Sequence, residues 1–184
     1  MSEYRALFAN TGLEVLSLRD VNIDIEVEET GSTYEQNAAI KAEAIKNNTK
    51  LIVIADDSGL EIEALDNFPG ITSARYASQM GGSQKANQAI LQKMQNIENR
   101  RAKFIAVIAL SNYKNETLLF RGEAYGHITE KEEGVGGFGY DPIFFSDEAH
   151  QTFSLLDGPQ KNRFSHRGKA VNKLLQYLKD ENII

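Results

Sequence analysis

The chain has 184 residues, of which 41% are hydrophobic and 25% charged, the composition of an ordinary globular protein with enough apolar material for one core. A formal net charge of −6 argues against a non-specific binder of nucleic-acid polymers or membrane surfaces. The absence of cysteine excludes disulfides, iron–sulfur clusters, thiolate zinc sites and cysteine nucleophiles. The longest apolar stretch, around Phe104 to Leu110, falls far short of the ~20 residues of a membrane span. No basic-then-apolar leader opens the sequence. The expectation is a single domain over 1–184, in the cytoplasm.

In chain order, Ser2 to Ala9 reads as a short helix ended by Gly12. Leu13 to Leu18 is a strand candidate. From Ile23 to Glu29 the residues alternate, with Ile23, Ile25 and Val27 on one face and Asp24, Glu26 and Glu28 on the other. Glu29 then falls on the apolar face, where a carboxylate is out of place. Ser32 and Glu35 form a capping-box pattern for a helix to about Lys46. Leu51 to Ala55 is the continuous apolar run of a strand buried on both faces. It ends in Asp56-Asp57-Ser58-Gly59, before a further strand from Leu60 to Leu65. Pro69-Gly70 marks a turn, and Ser83 caps a helix to about Ile97. Phe104 to Ser111 and Thr117 to Arg121 read as a strand pair around the turn Asn112 to Asn115. A glycine-rich loop, Gly134 to Gly139, leads into Tyr140-Asp141-Pro142. The last helix starts near Ser165 with Val171, Leu174, Leu175 and Leu178 on one face. Helices interleaved with strands give an α/β class, and the strand pair makes the sheet mixed.

Asp56-Asp57-Ser58-Gly59 stands where ligands of open α/β sheets bind, outside the carboxyl end of a strand. Paired carboxylates there suit a hard cation such as Mg²⁺, although Asp and Ser also favour plain turns. Successive strand residues point to opposite faces, so only one of Asp56 and Asp57 is expected to face the ion. Glu29 is the natural second ligand, with a solvated Glu28–Glu29 pair as the alternative. Thr33, Asn37 and Lys41 share one helix face near an N-terminus, a place suited to phosphate oxygens or simply a polar surface.

Gly134 to Gly139 matches a dinucleotide fingerprint in letters, but it neither follows a strand nor opens a helix. As a glycine loop ending in Phe138, Tyr140 and Asp141, it fits better as a purine pocket, with an aromatic face to stack and a carboxylate to accept a ring N–H. A hairpin turn packed by aromatics is the alternative. Lys161, Arg163, His166, Arg167 and Lys169 form a dense basic segment. His166 and Arg167 fall in a first helical turn, where the macrodipole gives cations nothing and a bound anion would explain them. Ser58 with His166 lacks the G-x-S-x-G elbow of a serine hydrolase. His127 and His150 have no ligand spacing.

Taken together the segments resemble the inosine triphosphatase family of non-standard purine nucleoside triphosphate pyrophosphatases. The matching stretches are Glu29-Thr30-Gly31 with Tyr34 to Ala38 and Ile40-Lys41-Ala42, then Ala55 to Leu60, Pro69-Gly70 with Ser73 to Tyr76, Gly137 to Pro142, and Ser165-His166-Arg167. The resemblance implies an elongated mixed sheet flanked by helices, two lobes around a cleft, and a homodimer. It implies Mg²⁺-dependent cleavage of ITP, XTP and their deoxy forms to the monophosphate and diphosphate. By the same resemblance Asp57 is proton acceptor and metal ligand, and Glu29 the second metal ligand. Lys41 would hold phosphates, while Ser58, Phe138, Gly139, Tyr140, Asp141, Lys161, His166 and Arg167 would line the nucleotide site. Asn37, on the helix face of Lys41, joins them as a candidate substrate contact. The family pattern places a strand and a Thr/Ser-x-Asn-x-x-Lys loop ahead of the first helix, whereas Met1 already lies within that helix. From this sequence either a segment lies upstream or the loop is lost, and the second case predicts a nucleotide-binding module with little turnover.

Overall fold

The computed structural model describes residues 1–184, Ser2 by its backbone alone. Its helices are α1 (Ser2–Phe8), α2 (Tyr34–Lys46), α3 (Ser73–Gln79), α4 (Ser83–Lys93), α5 (Gly158–Phe164) and α6 (His166–Asp180). Its strands are β1 (Val53–Ile62), β2 (Phe68–Pro69), β3 (Arg101–Ser111), β4 (Leu118–Ile128), β5 (Phe144–Ser146) and β6 (Gln151–Thr152). They are hydrogen-bonded in the order β2-β1-β3-β4-β5-β6, and β1–β2, β4–β5 and β5–β6 pair antiparallel. The α/β class expected from the sequence is borne out. The chain divides into two compact units, one of residues 1–57, 106–122 and 167–184, the other of residues 58–105 and 123–166. No helix among the described residues is long and apolar enough to cross a membrane.

In the first unit the core follows from two periodicities. Val171, Leu174 and Leu178 recur at helical spacing along α6, and Ala106, Ile108 and Leu110 alternate along β3; all are buried together with Phe8. Burying a side chain of this size stabilises by roughly 1.5–3 kcal/mol. In the second unit Ala86, Ile90 and Met94 pack with Leu60, Ile62, Phe104, Phe144 and Phe153. Phe104 meets Phe144 edge-on at 4.7 Å between ring centroids. Arg100 closes this unit with three bonds to carbonyls, Nε to Ile128 at 2.7 Å, Nη1 to Met94 at 2.9 Å and Nη2 to Thr129 at 2.6 Å.

Several expected elements differ. Leu13 to Leu18 and Ile23 to Glu29 are not strands. Burial does alternate from Val21 to Thr30, and Ile23, Ile25 and Val27 all line one cavity of ≈ 1100 Å³ in the first unit. What is missing is a ladder: the pattern of one apolar face is present, but among the described residues no neighbouring strand takes up the backbone groups. The two stretches are separated by a turn in which Ser17 N donates to Asp20 Oδ2 at 2.8 Å and Ile23 N to the Leu18 carbonyl at 2.9 Å. The cap of α2 is Thr33 rather than Ser32, with Thr33 Oγ1 accepting from Gln36 N at 3.2 Å. Gln36 Oε1 in turn accepts from Ser32 N at 2.7 Å.

The expected strand, acidic turn and second strand between Leu51 and Leu65 are instead one strand, β1, which runs through Asp56 to Gly59 without a break. Leu51 and Ile52 are exposed and precede it. The turn propensity of Asp, Ser and Gly yields here to sheet pairing on β1. α5 was not expected, and α4 stops at Lys93 rather than Ile97.

Candidate functional site

A cluster of polar side chains in the first unit collects on α2, on β1 and at the end of the alternating segment. Thr33 starts α2 and sets its rotation, so that Asn37 and Lys41, one turn apart, point the same way. Asn37 is 1% exposed. Its Nδ2 donates to Asp57 Oδ2 at 3.2 Å, and its Oδ1 accepts from Gly31 N at 2.9 Å. Gly31 is required there, since a Cβ would stand 2.6 Å from Asn37 Oδ1. Lys41 Nζ donates to Glu29 Oε1 at 2.8 Å and to Asp57 Oδ1 at 3.1 Å. Glu29, the carboxylate on the inward face, thus meets Asp57 through a shared ammonium.

Electrostatics follow from burial and charge. Burial pushes the Asp57 carboxyl above its ordinary range, against the pull of Lys41 and Asn37 and with a further push from Glu29. Burial alone would lower the Lys41 ammonium, but Glu29 and Asp57 outweigh it and raise its pKa. A carboxyl of raised proton affinity therefore sits beside a cation held firmly charged. Among the described residues no group of three or more His, Asp or Glu side chains is placed to hold a metal. Two carboxylates suffice for Mg²⁺, which keeps several waters and takes its remaining oxygens from substrate phosphates.

Asp56 points away from this cluster. Arg167 Nε and Nη2 reach Asp56 Oδ2 at 3.2 and 2.9 Å, and Nη1 reaches Glu3 Oε2 at 2.5 Å. Burial opposes the guanidinium charge, and Asp56 and Glu3 more than restore it. Arg167, expected at the nucleotide, is an ion-pair partner of α1 and β1 in this structure.

The second unit holds the other expected residues. Gly137 adopts φ 74°, and a Cβ there would lie 2.3 Å from Asp141 Oδ2. That room lets Asp141 turn back and accept from Phe138 N at 2.7 Å. Asp141 Oδ2 also accepts from Lys161 Nζ, whose ammonium lies 3.9 Å from the centroid of the Phe138 ring. Phe138 is 54% exposed and is the aromatic face on offer. Tyr140 is not: it is buried in the core, and its hydroxyl donates to the Ser73 carbonyl at 2.7 Å. Gly139 is held from α4, where Asn87 Nδ2 donates to its carbonyl at 3.1 Å. His166 is buried and stacks on Phe104 at 4.6 Å between centroids. Ser58 is half-buried on β1.

The basic segment is divided between two helices. Lys161 and Arg163 occupy the last turn of α5, where cations complement the macrodipole. Its start carries a reciprocal capping box between Asp157 and Gln160 with proline in the first turn. That signature was present in the sequence and marks α5. No comparable signal announced Asn87.

A family model described as the Ham1 family matches residues 1–177. The chain belongs to the Ham1 family. Among curated relatives, the dITP/XTP pyrophosphatase of Clostridium perfringens is 42% identical over 187 residues, covering 97% of this chain and 92% of that protein. The dITP/XTP pyrophosphatase of Halalkalibacterium halodurans is 43% identical over 180 residues, covering 97% and 93%. Among solved structures, the Ham1 protein of Staphylococcus aureus matches with a TM-score of 0.87 at 40% identity, covering 98% of this chain and 93% of that one. A HAM1 protein from Coxiella burnetii matches with a TM-score of 0.87 at 35% identity, covering 97% and 92%. The resemblance read from the motifs is borne out by this Ham1 membership.

Proposed function

We propose that the chain hydrolyses non-standard purine nucleoside triphosphates, dITP and XTP among them, to the monophosphate and diphosphate. The observation that carries the proposal is the Glu29–Lys41–Asp57 cluster, found in a chain whose relatives are named for that activity. In this reading water attacks the α-phosphorus while the bond from that phosphorus to the bridging oxygen breaks, releasing diphosphate; attack on the β-phosphorus would give the same products with the monophosphate leaving. Asp57 takes the proton of the attacking water, a task its raised pKa suits. Lys41 neutralises charge on the phosphate oxygens as it develops. Asn37 keeps Asp57 in place rather than holding phosphate itself, since both ends of its amide are engaged within the protein.

Mg²⁺ fits the donor set, because two carboxylate oxygens already converge on one cation. Glu29 and Asp57 would hold it, and when bound it supplies Lewis-acid polarisation of a phosphoryl oxygen. We assign the purine to the second unit, to Phe138 as stacking face, with Ser58, Gly139, Asp141, Lys161 and His166 as its polar surroundings. Tyr140 supports that loop from the core, and Arg167 is retained as a contact only if nucleotide draws it from Asp56. Hypoxanthine and xanthine carry a keto oxygen where adenine carries an amino donor, and donors such as Lys161 satisfy the former and oppose the latter. The reading includes a homodimer working in the cytoplasm, as the resemblance implies, and sedimentation of the purified chain tests the assembly.

The deciding experiment measures diphosphate release from ITP, XTP and ATP, with and without Mg²⁺. Release from ITP and XTP far above ATP, dependent on Mg²⁺, is the expected result. Nucleotide binding without release would favour a binding module, and equal rates for ITP and ATP would remove the purine assignment.

A further inference from the structure

The proposed metal ligands are not free in this protein. Lys41 Nζ lies 2.8 Å from Glu29 Oε1 and 3.1 Å from Asp57 Oδ1, so the space between the two carboxylates is filled by an ammonium. Asn37 fixes this arrangement from both ends, binding the backbone at Gly31 and the other oxygen of Asp57. A divalent cation bound by both carboxylates needs oxygens at about 2.0–2.1 Å, nearer than they stand to nitrogen. It would occupy the place of Nζ, and a unit charge and a double charge cannot share it.

We propose that Lys41 is the resident counter-ion of Glu29 and Asp57, and that it must leave their midpoint before both can bind a divalent cation. The inference rests on the reading that these two carboxylates hold the metal, and it adds an order to events. In the free protein the ammonium competes with the metal. A triphosphate gives the same ammonium another anionic partner, so nucleotide and metal assist one another's entry, and by linkage the assistance is mutual. The protein thus offsets one of the two carboxylate charges with its own ammonium, and the ion is admitted with the substrate.

The test uses Mn²⁺ alone, without nucleotide, titrated into the whole chain and followed by the loss of the free-ion paramagnetic resonance signal. Wild type, Lys41→Met, Lys41→Gln, Glu29→Gln and Lys46→Met are compared, each checked for folding by circular dichroism. Lys46→Met removes the same charge at the far end of α2, where Lys46 pairs with Glu43. The expected result is Mn²⁺ binding at least about tenfold tighter in Lys41→Met and Lys41→Gln. Glu29→Gln should weaken binding, and Lys46→Met should leave it within about twofold of wild type. Binding that depends on Glu29 yet is unchanged in both Lys41 variants overturns the counter-ion role and leaves the metal assignment standing. An equal gain in Lys46→Met also overturns it, since the effect would then be general charge. Binding indifferent to Glu29, or none in any form, overturns the metal assignment and this inference with it.

Discussion

Asp56 and Asp57, neighbours on β1, serve opposite sides of the strand. Asp56 accepts from Arg167 Nη2 at 2.9 Å, while Asp57 accepts from Asn37 Nδ2 at 3.2 Å. Alternation along a strand separates them, so one doublet supplies an anion to Arg167 and another to Asn37 and Lys41.

The two substitutions should therefore fail differently. Asp57→Asn is expected to lose at least ~10²-fold in kcat/KM for ITP with the fold retained. Asp56→Asn is expected to cost about 2 kcal/mol of stability by weakening the hold on a buried guanidinium, with a smaller loss of turnover. Urea denaturation alongside initial rates separates the two. Equal turnover in wild type and Asp57→Asn would remove Asp57 from the chemistry.

Arg100 satisfies three carbonyls, those of Met94, Ile128 and Thr129. Lysine keeps the charge but cannot present three N–H groups in a fixed fork. Arg100→Lys is expected to lower stability by at least ~2 kcal/mol. A change in the urea midpoint equivalent to under ~0.5 kcal/mol would show those carbonyls finding other partners.

Gly137 combines a left-handed φ of 74° with a close approach to Asp141. Gly137→Ala should push Asp141 off Phe138 N and loosen the loop proposed for the purine. The strain of a left-handed alanine is about 1–2 kcal/mol, which corresponds to a rise in KM of roughly tenfold. Turnover at saturation should change less, and steady-state kinetics on ITP reads both.

The pH dependence of stability follows from two raised groups. Lys41 titrates above the ordinary 10.5 in the folded state, because Glu29 and Asp57 outweigh burial. Its stabilisation is complete below 10.5 and is lost as pH climbs through the folded value. The gap in unfolding free energy between wild type and Lys41→Met should thus hold steady at neutral pH and shrink in alkali. Asp57, raised above 3.8 chiefly by burial, obeys the same sign lower down. The stability it brings is present below 3.8 and is lost as pH rises through its folded value. Denaturation series across pH for wild type, Lys41→Met and Asp57→Asn check both windows.

Local signals predicted local outcomes well. The alternation that set Glu29 on the inward face holds in the structure as alternating burial from Val21 to Thr30, and the helical spacing of Asn37 and Lys41 brings both to Asp57. Sequence could not say whether an alternating segment finds a neighbour to pair with, because a ladder depends on distant chain. For the same reason Asp56 to Gly59 looked like a turn and proved to be the middle of a strand. Tyr140 read as an exposed base platform because aromatic residues beside glycine suit either role; only packing against Ser73 shows it belongs to the core.

The unbroken run of β1 has a consequence for how this chain tolerates changes of length. A one-residue slip exchanges the two faces of a strand. In one direction it would bring Asp56 to Lys41 but Ala55 to Arg167; in the other, Asp57 to Arg167 but Ser58 to Lys41. Either way one cation loses its carboxylate. The stretch just ahead offers no slack either, because Asn112 Nδ2 donates to the carbonyls of Lys46, Thr49 and Leu51. A reporter or tag placed inside the chain belongs instead at the exposed turn around Asn115, where added residues leave the strand's frame untouched.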